Sequence, residues 1–323
     1  MKKFTNFKFM MLLSVISFLI FSCNKHSLEP YDSNPDSLVE SSKYEDNNLN
    51  NLKIQSASFR GVYIDKFDSK IGNIAAEDSV LDWCLKNNFN QISLYSVGNI
   101  LGQGKATLLN SFIGRASIAP YNIKVSVVAA SLNTATSEYS YYNSYPNKFT
   151  GITTEYEYWN GTNSFTTFQS QINYMSSINQ ATGGAIKRQL YISKFTDASN
   201  ALTADTTIAR NLVQNADRIF VVNYVTNAYN LSNSTLNKIK LIANASKKSN
   251  KVTEIVILFS VNQNSTDPNL YNYFSVTGGN HGFADAYNKF KTDYNATTFG
   301  NKTSVSIIGY QLYNYSNAVT ARP

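Results

Sequence analysis

Two glutamates, Glu155 and Glu157, lie in the run FTGITTEYEYWN from Phe149 to Asn160. In an extended strand residues two apart share a face, so Thr153, Glu155 and Glu157 point one way and Thr154, Tyr156 and Tyr158 the other. A rise of roughly 3.3 Å per residue starts the two carboxylates about 6.6 Å apart at the backbone, so their tips can meet or separate. Two such carboxylates repel, and one is expected to take a raised pKa and hold a proton near neutral pH. Glycosidic cleavage needs that equipment: one carboxyl protonates the leaving oxygen while a second group stabilises or attacks the sugar. The same spacing also fits a pair of glutamates fraying into solvent at a strand end.

The elements that must position these residues are short β-branched and aromatic runs. They predict eight strands, at 59–67, 90–97, 123–131, 149–159, 188–195, 217–225, 253–261 and 304–316. Amphipathic helical patterns fall between them, the weakest being SEYSYYNSYPNK between the third and fourth strands. Eight strands alternating with helices over about 265 residues match the count and size of a single-domain (β/α)8 TIM barrel, an α/β fold, spanning 59–323. A doubly wound open sheet is the competing arrangement. GVYIDKFDSKIG, at and after the first strand, lacks the G-x-G-x-x-G loop, so no nucleotide cofactor is expected. A barrel concentrates chemistry at the C-terminal ends of its strands, which selects Asp65, Tyr95, Ser131, Glu155, Glu157, Phe195, Tyr224, Gln311 and Tyr313.

Upstream of the first strand the chain changes character. Lys2, Lys3 and Lys8 precede an apolar run from Phe9 to Phe21, followed by Ser22 and Cys23. That pattern predicts a secretory signal over 1–22, too short for a confident membrane span. Leu19-Ile20-Phe21-Ser22-Cys23 resembles a bacterial lipobox, which implies lipidation of Cys23. Acyl chains contributing ~0.8 kcal/mol per buried CH2 would then hold the protein on a membrane in the cell envelope, at the outer membrane or cell surface. The stretch from Cys23 to Ser58 is rich in Ser, Asn, Asp and Glu and reads as a flexible tether.

The chain holds two cysteines and two histidines. With Cys23 lipidated, Cys84 has no disulfide partner and is expected to be a buried thiol. His26 and His281 are too few, with these cysteines, to build a Cys/His metal centre, so no metal is expected. The net charge is +7, but the bases are scattered and form no stripe of the kind nucleic acid requires.

The run FTGITTEYEY resembles the fourth-strand signature of family 18 glycoside hydrolases, the chitinases and endo-β-N-acetylglucosaminidases, whose pattern runs F-D-G-I-D-I-D-W-E-Y. The resemblance places the family's general acid on Glu157 and its acetamido-orienting Asp on Glu155. The family's two earlier aspartates fall on Thr150 and Thr153. The sixth-strand M-N-Y-D pattern falls on Val222-Asn223-Tyr224-Val225, and the eighth-strand G-x-M-x-W on Gly309-Tyr310-Gln311-Leu312-Tyr313. Substrate contacts are therefore expected from Asn223, Tyr224, Gln311, Tyr313 and Thr153. The third-strand S-x-G-G becomes Val128-Ala129-Ala130-Ser131, a poor match.

The departures bear on mechanism. In that family the nucleophile is the substrate's own acetamido oxygen, so the enzyme supplies an acid and an orienting carboxylate. Glu155 is one methylene longer than Asp, and a displacement of ~1 Å can cost on the order of a hundredfold in rate. Thr153 can donate a hydrogen bond to Glu155 but cannot exchange a proton with it. The expectation is a surface lipoprotein that recognises GlcNAc-containing glycans, N-glycan or chitooligosaccharide, with catalysis weak or lost. The alternative is an active endo-acting hydrolase using Glu157 as acid and base. Either is expected to act as a monomer, and a surface glycan-foraging lipoprotein implies a glycan-importer partner.

Overall fold

Eight parallel strands, each returning through helix-containing connections, close on themselves in the order β1 to β8. The computed structural model describes residues 57–160, 163–195, 203–228 and 231–323, with the backbone alone for 203–206. The predicted signal, Cys23, His26 and nearly all of the tether lie outside the described residues. The strands are β1 (Phe59–Ile64), β2 (Gln91–Leu94), β3 (Lys124–Ala129), β4 (Gly151–Thr154), β5 (Lys187–Ile192), β6 (Arg218–Val222), β7 (Thr253–Ser260) and β8 (Val305–Tyr313). Closure comes from β1 pairing with β8 in parallel, Phe59 opposite Gly309 and Val62 opposite Leu312. This is the (β/α)8 barrel that the strand count predicts.

The helices are α1 (Ile74–Lys86), α2 (Val97–Gly102), α3 (Ala106–Ser117), α4 (Leu132–Ser144), α5 (Phe165–Ala181), α6 (Thr203–Asn215), α7 (Asn233–Lys248), α8 (Tyr271–Phe274), α9 (Phe283–Ala296) and α10 (Tyr315–Ala321). Three of them start on the same local device. Ser131, Ser164 and Ser232 each cap the backbone N–H three residues on, at Thr134, Thr167 and Thr235, with hydroxyl–hydroxyl contacts of 2.9–3.0 Å between the paired side chains. Such a cap satisfies one of the orphan donors of the first turn. The weak periodicity of SEYSYYNSYPNK understated α4, which buries Ala135, Glu138 and Tyr141.

Inside the barrel, alternation sorts side chains into layers. Phe59, Phe220 and Val256 form an apolar cluster towards the strand starts. Above it lies a polar layer in which Thr153 donates to Gln189 Oε1 at 2.8 Å and Gln311 Nε2 donates to Ser93 Oγ at 3.0 Å. Gly61 makes room for this layer: a Cβ there would come within 2.5 Å of Gln311 Oε1. The top layer, at the C-terminal ends, is aromatic.

Several predicted strands run too long, and the largest excess is at the fourth. Its ladder ends where Thr154 faces Leu190. Beyond it the Tyr156 N–H turns back to Thr154 Oγ1 at 3.3 Å, and the Asn160 N–H closes a turn on the Glu157 carbonyl at 3.0 Å. Glu155 and Glu157 therefore stand on the loop above the barrel.

Candidate functional site

The chain places the C-terminal ends of β2, β4, β5, β6, β7 and β8 around one cavity of about 220 Å³. Glu155 and Glu157 line it together with Tyr95, Tyr191, Tyr224 and Tyr313. The remaining wall comes from β7 and the loop after it, through Leu258, Ser260, Asn262, Ser265 and Asp267. No lysine, arginine or histidine is among these lining residues.

Glu155 inherits its direction from β4. Thr154 points out of the barrel, where its hydroxyl donates to Gln171 of α5 at 2.9 Å, while Thr153 points in. One residue past the strand, the Glu155 carboxyl accepts the Tyr95 hydroxyl, itself one residue past β2. The rings of Tyr63, Tyr95 and Tyr313 pack at centroid separations of 5.2–6.3 Å beneath and beside it. The Tyr63 hydroxyl, fully buried, approaches the same carboxyl without completing a hydrogen bond.

This enclosure raises Glu155 to about 7. Burial is the leading cause, because a carboxylate loses hydration among phenyl rings. The Tyr95 and Tyr63 hydroxyls oppose the rise, and the charge of Glu157 adds a lesser push. The repulsion between the two glutamates, expected to set the raised pKa, is thus a minor contributor. Burial also pushes the phenols of Tyr63, Tyr95, Tyr191, Tyr224 and Tyr313 above their usual range, so each keeps its proton at neutral pH. The phenols of Tyr191 and Tyr224 interact with each other across the cavity wall.

Glu157 stands nearer the rim, partly exposed, and accepts the side-chain amide of Asn160. Asn163 fixes the same turn by donating to the Glu157 backbone carbonyl at 2.9 Å. Arranged in this way, the cavity offers phenolic donors, aromatic faces, the carboxyl of Glu155 that titrates near neutrality and two further carboxyls, on Glu157 and Asp267.

Three of the predicted substrate-binding residues lie elsewhere. Asn223 points outward from β6 and accepts the Thr235 hydroxyl of α7 at 2.8 Å, because alternation from inward-facing Tyr224 turns it away. Gln311 is buried one layer below the cavity against Gly61 and Ser93. Thr153 is likewise in the polar layer, and its hydroxyl goes to Gln189, not to Glu155.

Other strand-end residues have structural partners. Asp65 accepts the Ser316 N–H at 2.9 Å, Ser131 caps α4 and Phe195 is in the core. Trp159 packs behind Tyr191 at 5.6 Å, and Cys84 is a buried free thiol. His281 stacks on Tyr273 at 4.2 Å.

Sequence reasoning missed Tyr191, Tyr63 and the wall contributed by the loop after β7. Tyr63 and Tyr191 were accessible through alternation alone, two residues before Asp65 and four before Phe195 on the predicted strands. Nothing in the composition of Asn262–Asp267 distinguishes that loop from other Asn- and Ser-rich turns of this chain.

No family model matches the sequence, and no curated protein matches it. Among solved structures, a xylanase and α-amylase inhibitor protein from Scadoxus multiflorus aligns with TM-score 0.42 and 15% identity, over 82% of this chain and 95% of that one. A tamarind chitinase-like lectin aligns with TM-score 0.40 and 10% identity, over 82% and 99%. Orotidine 5'-monophosphate decarboxylase from Methanocaldococcus jannaschii aligns with TM-score 0.42 and 8% identity, over 81% and 94%. The class of this protein rests on its own closed parallel barrel of eight strands.

Proposed function

We propose that the protein recognises GlcNAc-containing glycans in the cavity at the top of a family 18-like barrel, with catalysis weak or lost. The proposal includes anchoring through a lipidated Cys23 at the bacterial outer membrane or cell surface and delivery of glycan to an importer. Aromatic walls with polar rims are suited to sugars, whose C–H faces pack on rings while their hydroxyls meet phenols and carboxyls. Tyr95, Tyr191, Tyr224 and Tyr313 supply those walls.

One observation carries the loss of catalysis: the Thr153 hydroxyl is committed to Gln189 at 2.8 Å. The position where the resemblance implies a proton-sharing aspartate holds a neutral group, tied away from Glu155. Glu155 in turn is engaged by Tyr95, leaving Glu157 at the rim without a carboxylate relay behind it.

The second reading, an endo-acting hydrolase, is favoured by the position of both glutamates on one cavity and by the raised pKa of Glu155. In that reading Glu157 protonates the leaving oxygen and Glu155 orients the acetamido group. The test incubates the full chain and Glu157→Gln with high-mannose N-glycoprotein and with chitooligosaccharides. Binding without product in both proteins is expected. Glycan release by the unaltered chain that Glu157→Gln lacks would overturn the non-catalytic reading.

A further inference from the structure

A second depression of about 450 Å³ adjoins the cavity. Tyr224 belongs to both, and the loop after β7 gives Asp267 to the first and the next residue, Pro268, to the second. We propose that this depression is a second subsite, for an uncharged sugar residue that continues a chain whose end sits in the first cavity. The inference rests on the functional reading above.

The two hollows differ in chemistry. The first holds three carboxyl groups, on Glu155, Glu157 and Asp267, whereas among the described residues the second has no acidic or basic side chain in its lining. Its surface combines apolar patches from Val225, Leu231 and Pro268 with the hydroxyl and amide groups of Thr226, Asn227 and Asn233. Apolar patches interleaved with neutral hydrogen-bonding groups match a sugar ring, which presents both kinds of surface; a charged ligand would find no counter-ion there. Thr226, Asn233 and Pro268 are exposed. The depression is therefore open enough for a chain to extend out of it.

Tyr224 makes the junction specific. Its side chain lines both hollows, and its phenol interacts with that of Tyr191, which lines the first. A ligand confined to the first cavity touches one side of this wall. A longer ligand crosses it and adds contacts in the second hollow, so affinity must grow with chain length.

The experiment is calorimetric titration of the full chain with GlcNAc, diacetylchitobiose, tetraacetylchitotetraose and a released high-mannose N-glycan. It is repeated with Thr226→Arg, which blocks the second hollow, and Asn233→Ala, which removes one amide, after thermal melting has verified folding. At least one longer ligand is expected to bind about tenfold more tightly than the shortest ligand that binds, a difference of ~1.4 kcal/mol. Thr226→Arg is expected to erase that advantage and leave the shortest ligand unaffected, with Asn233→Ala losing part of it. Equal affinity at every length, or an advantage unchanged in both variants, overturns the second subsite and leaves the first cavity's role standing. Failure of every probe to bind the unaltered chain overturns the glycan reading and this inference with it.

Discussion

The Tyr95 hydroxyl donates to the Glu155 carboxyl across the mouth of the barrel, each residue standing immediately beyond the end of its strand. This contact opposes the burial that raises Glu155 to about 7. A hydrogen bond donated to a carboxylate favours its charged form, so removing the donor leaves burial less opposed. Tyr95→Phe is therefore expected to move the Glu155 titration above about 7. Carbon-detected NMR of the labelled carboxyl checks this, and a midpoint that stays in place or falls would remove Tyr95 as a determinant.

The same burial makes stability depend on pH. Glu155 rises from an ordinary value of 4.5 to about 7, so between those values the folded protein binds more protons than the unfolded chain. Stability contributed in this way is present below about 4.5 and is lost as pH rises through 7. Glu155→Gln is expected to flatten that loss, leaving the variant more stable than the parent at pH 8 by on the order of 1–2 kcal/mol. Denaturant unfolding across the range is the measurement, and parallel curves for the two proteins would contradict it.

Glu138 gives a second, independent case away from the cavity. Its side chain is fully buried on α4, neither carboxyl oxygen has a hydrogen-bond partner among the described residues, and burial pushes its pKa well up. A buried polar group without a partner costs roughly 1–3 kcal/mol. Glu138→Leu is expected to raise the melting temperature, most strongly at alkaline pH, where the native carboxyl is driven towards its charged form. A lower melting temperature at every pH would show that the carboxyl has a stabilising role.

Asn223, Thr153 and Gln311 separate what periodicity can and cannot give. The strand count placed the barrel, and the C-terminal rule placed Tyr95, Glu155, Glu157, Tyr224 and Tyr313 on one cavity. Alternation within a strand then decides which neighbours join them: Asn223 beside Tyr224 must face α7, as it does. Depth along the same inward face needs the barrel's stagger, which a single strand does not encode. Thr153 and Gln311 share their faces with Glu155 and Tyr313 but lie one layer down, in the polar interior. The end of β4 was also illegible, because Tyr156 and Tyr158 carry strand propensity while the backbone turns on Thr154 and Asn160 contacts.

Thr153 and Asn223 should therefore behave as structural residues. Thr153→Val strands Gln189 Oε1 in the barrel interior, and Asn223→Ala removes one acceptor of the Thr235 hydroxyl, which keeps its contacts with the Val222 carbonyl and the Ser232 hydroxyl. Thr153→Val is expected to cost about 1–3 kcal/mol of stability and Asn223→Ala about 0.5–1.5 kcal/mol, with glycan affinity unchanged under conditions where the variants remain folded. Loss of affinity at unchanged stability would return either residue to the binding site.

The tyrosine walls make the converse prediction. Tyr313 is part-buried, with its ring against Tyr63 and Tyr95, and it faces the cavity opened by Glu155 and Glu157. If the ring is a platform for a sugar face, the aromatic area matters more than the hydroxyl. Tyr313→Phe should then bind glycan within a few-fold of the parent, while Tyr313→Ala should lose about tenfold or more, equivalent to ~1.4 kcal/mol. Tyr224→Ala should lose at least as much, since its ring borders both hollows. Titration calorimetry on folded variants reads the ordering directly. Equal losses for Phe and Ala at Tyr313 would mean that the phenol's hydrogen bond, and not its face, holds the ligand.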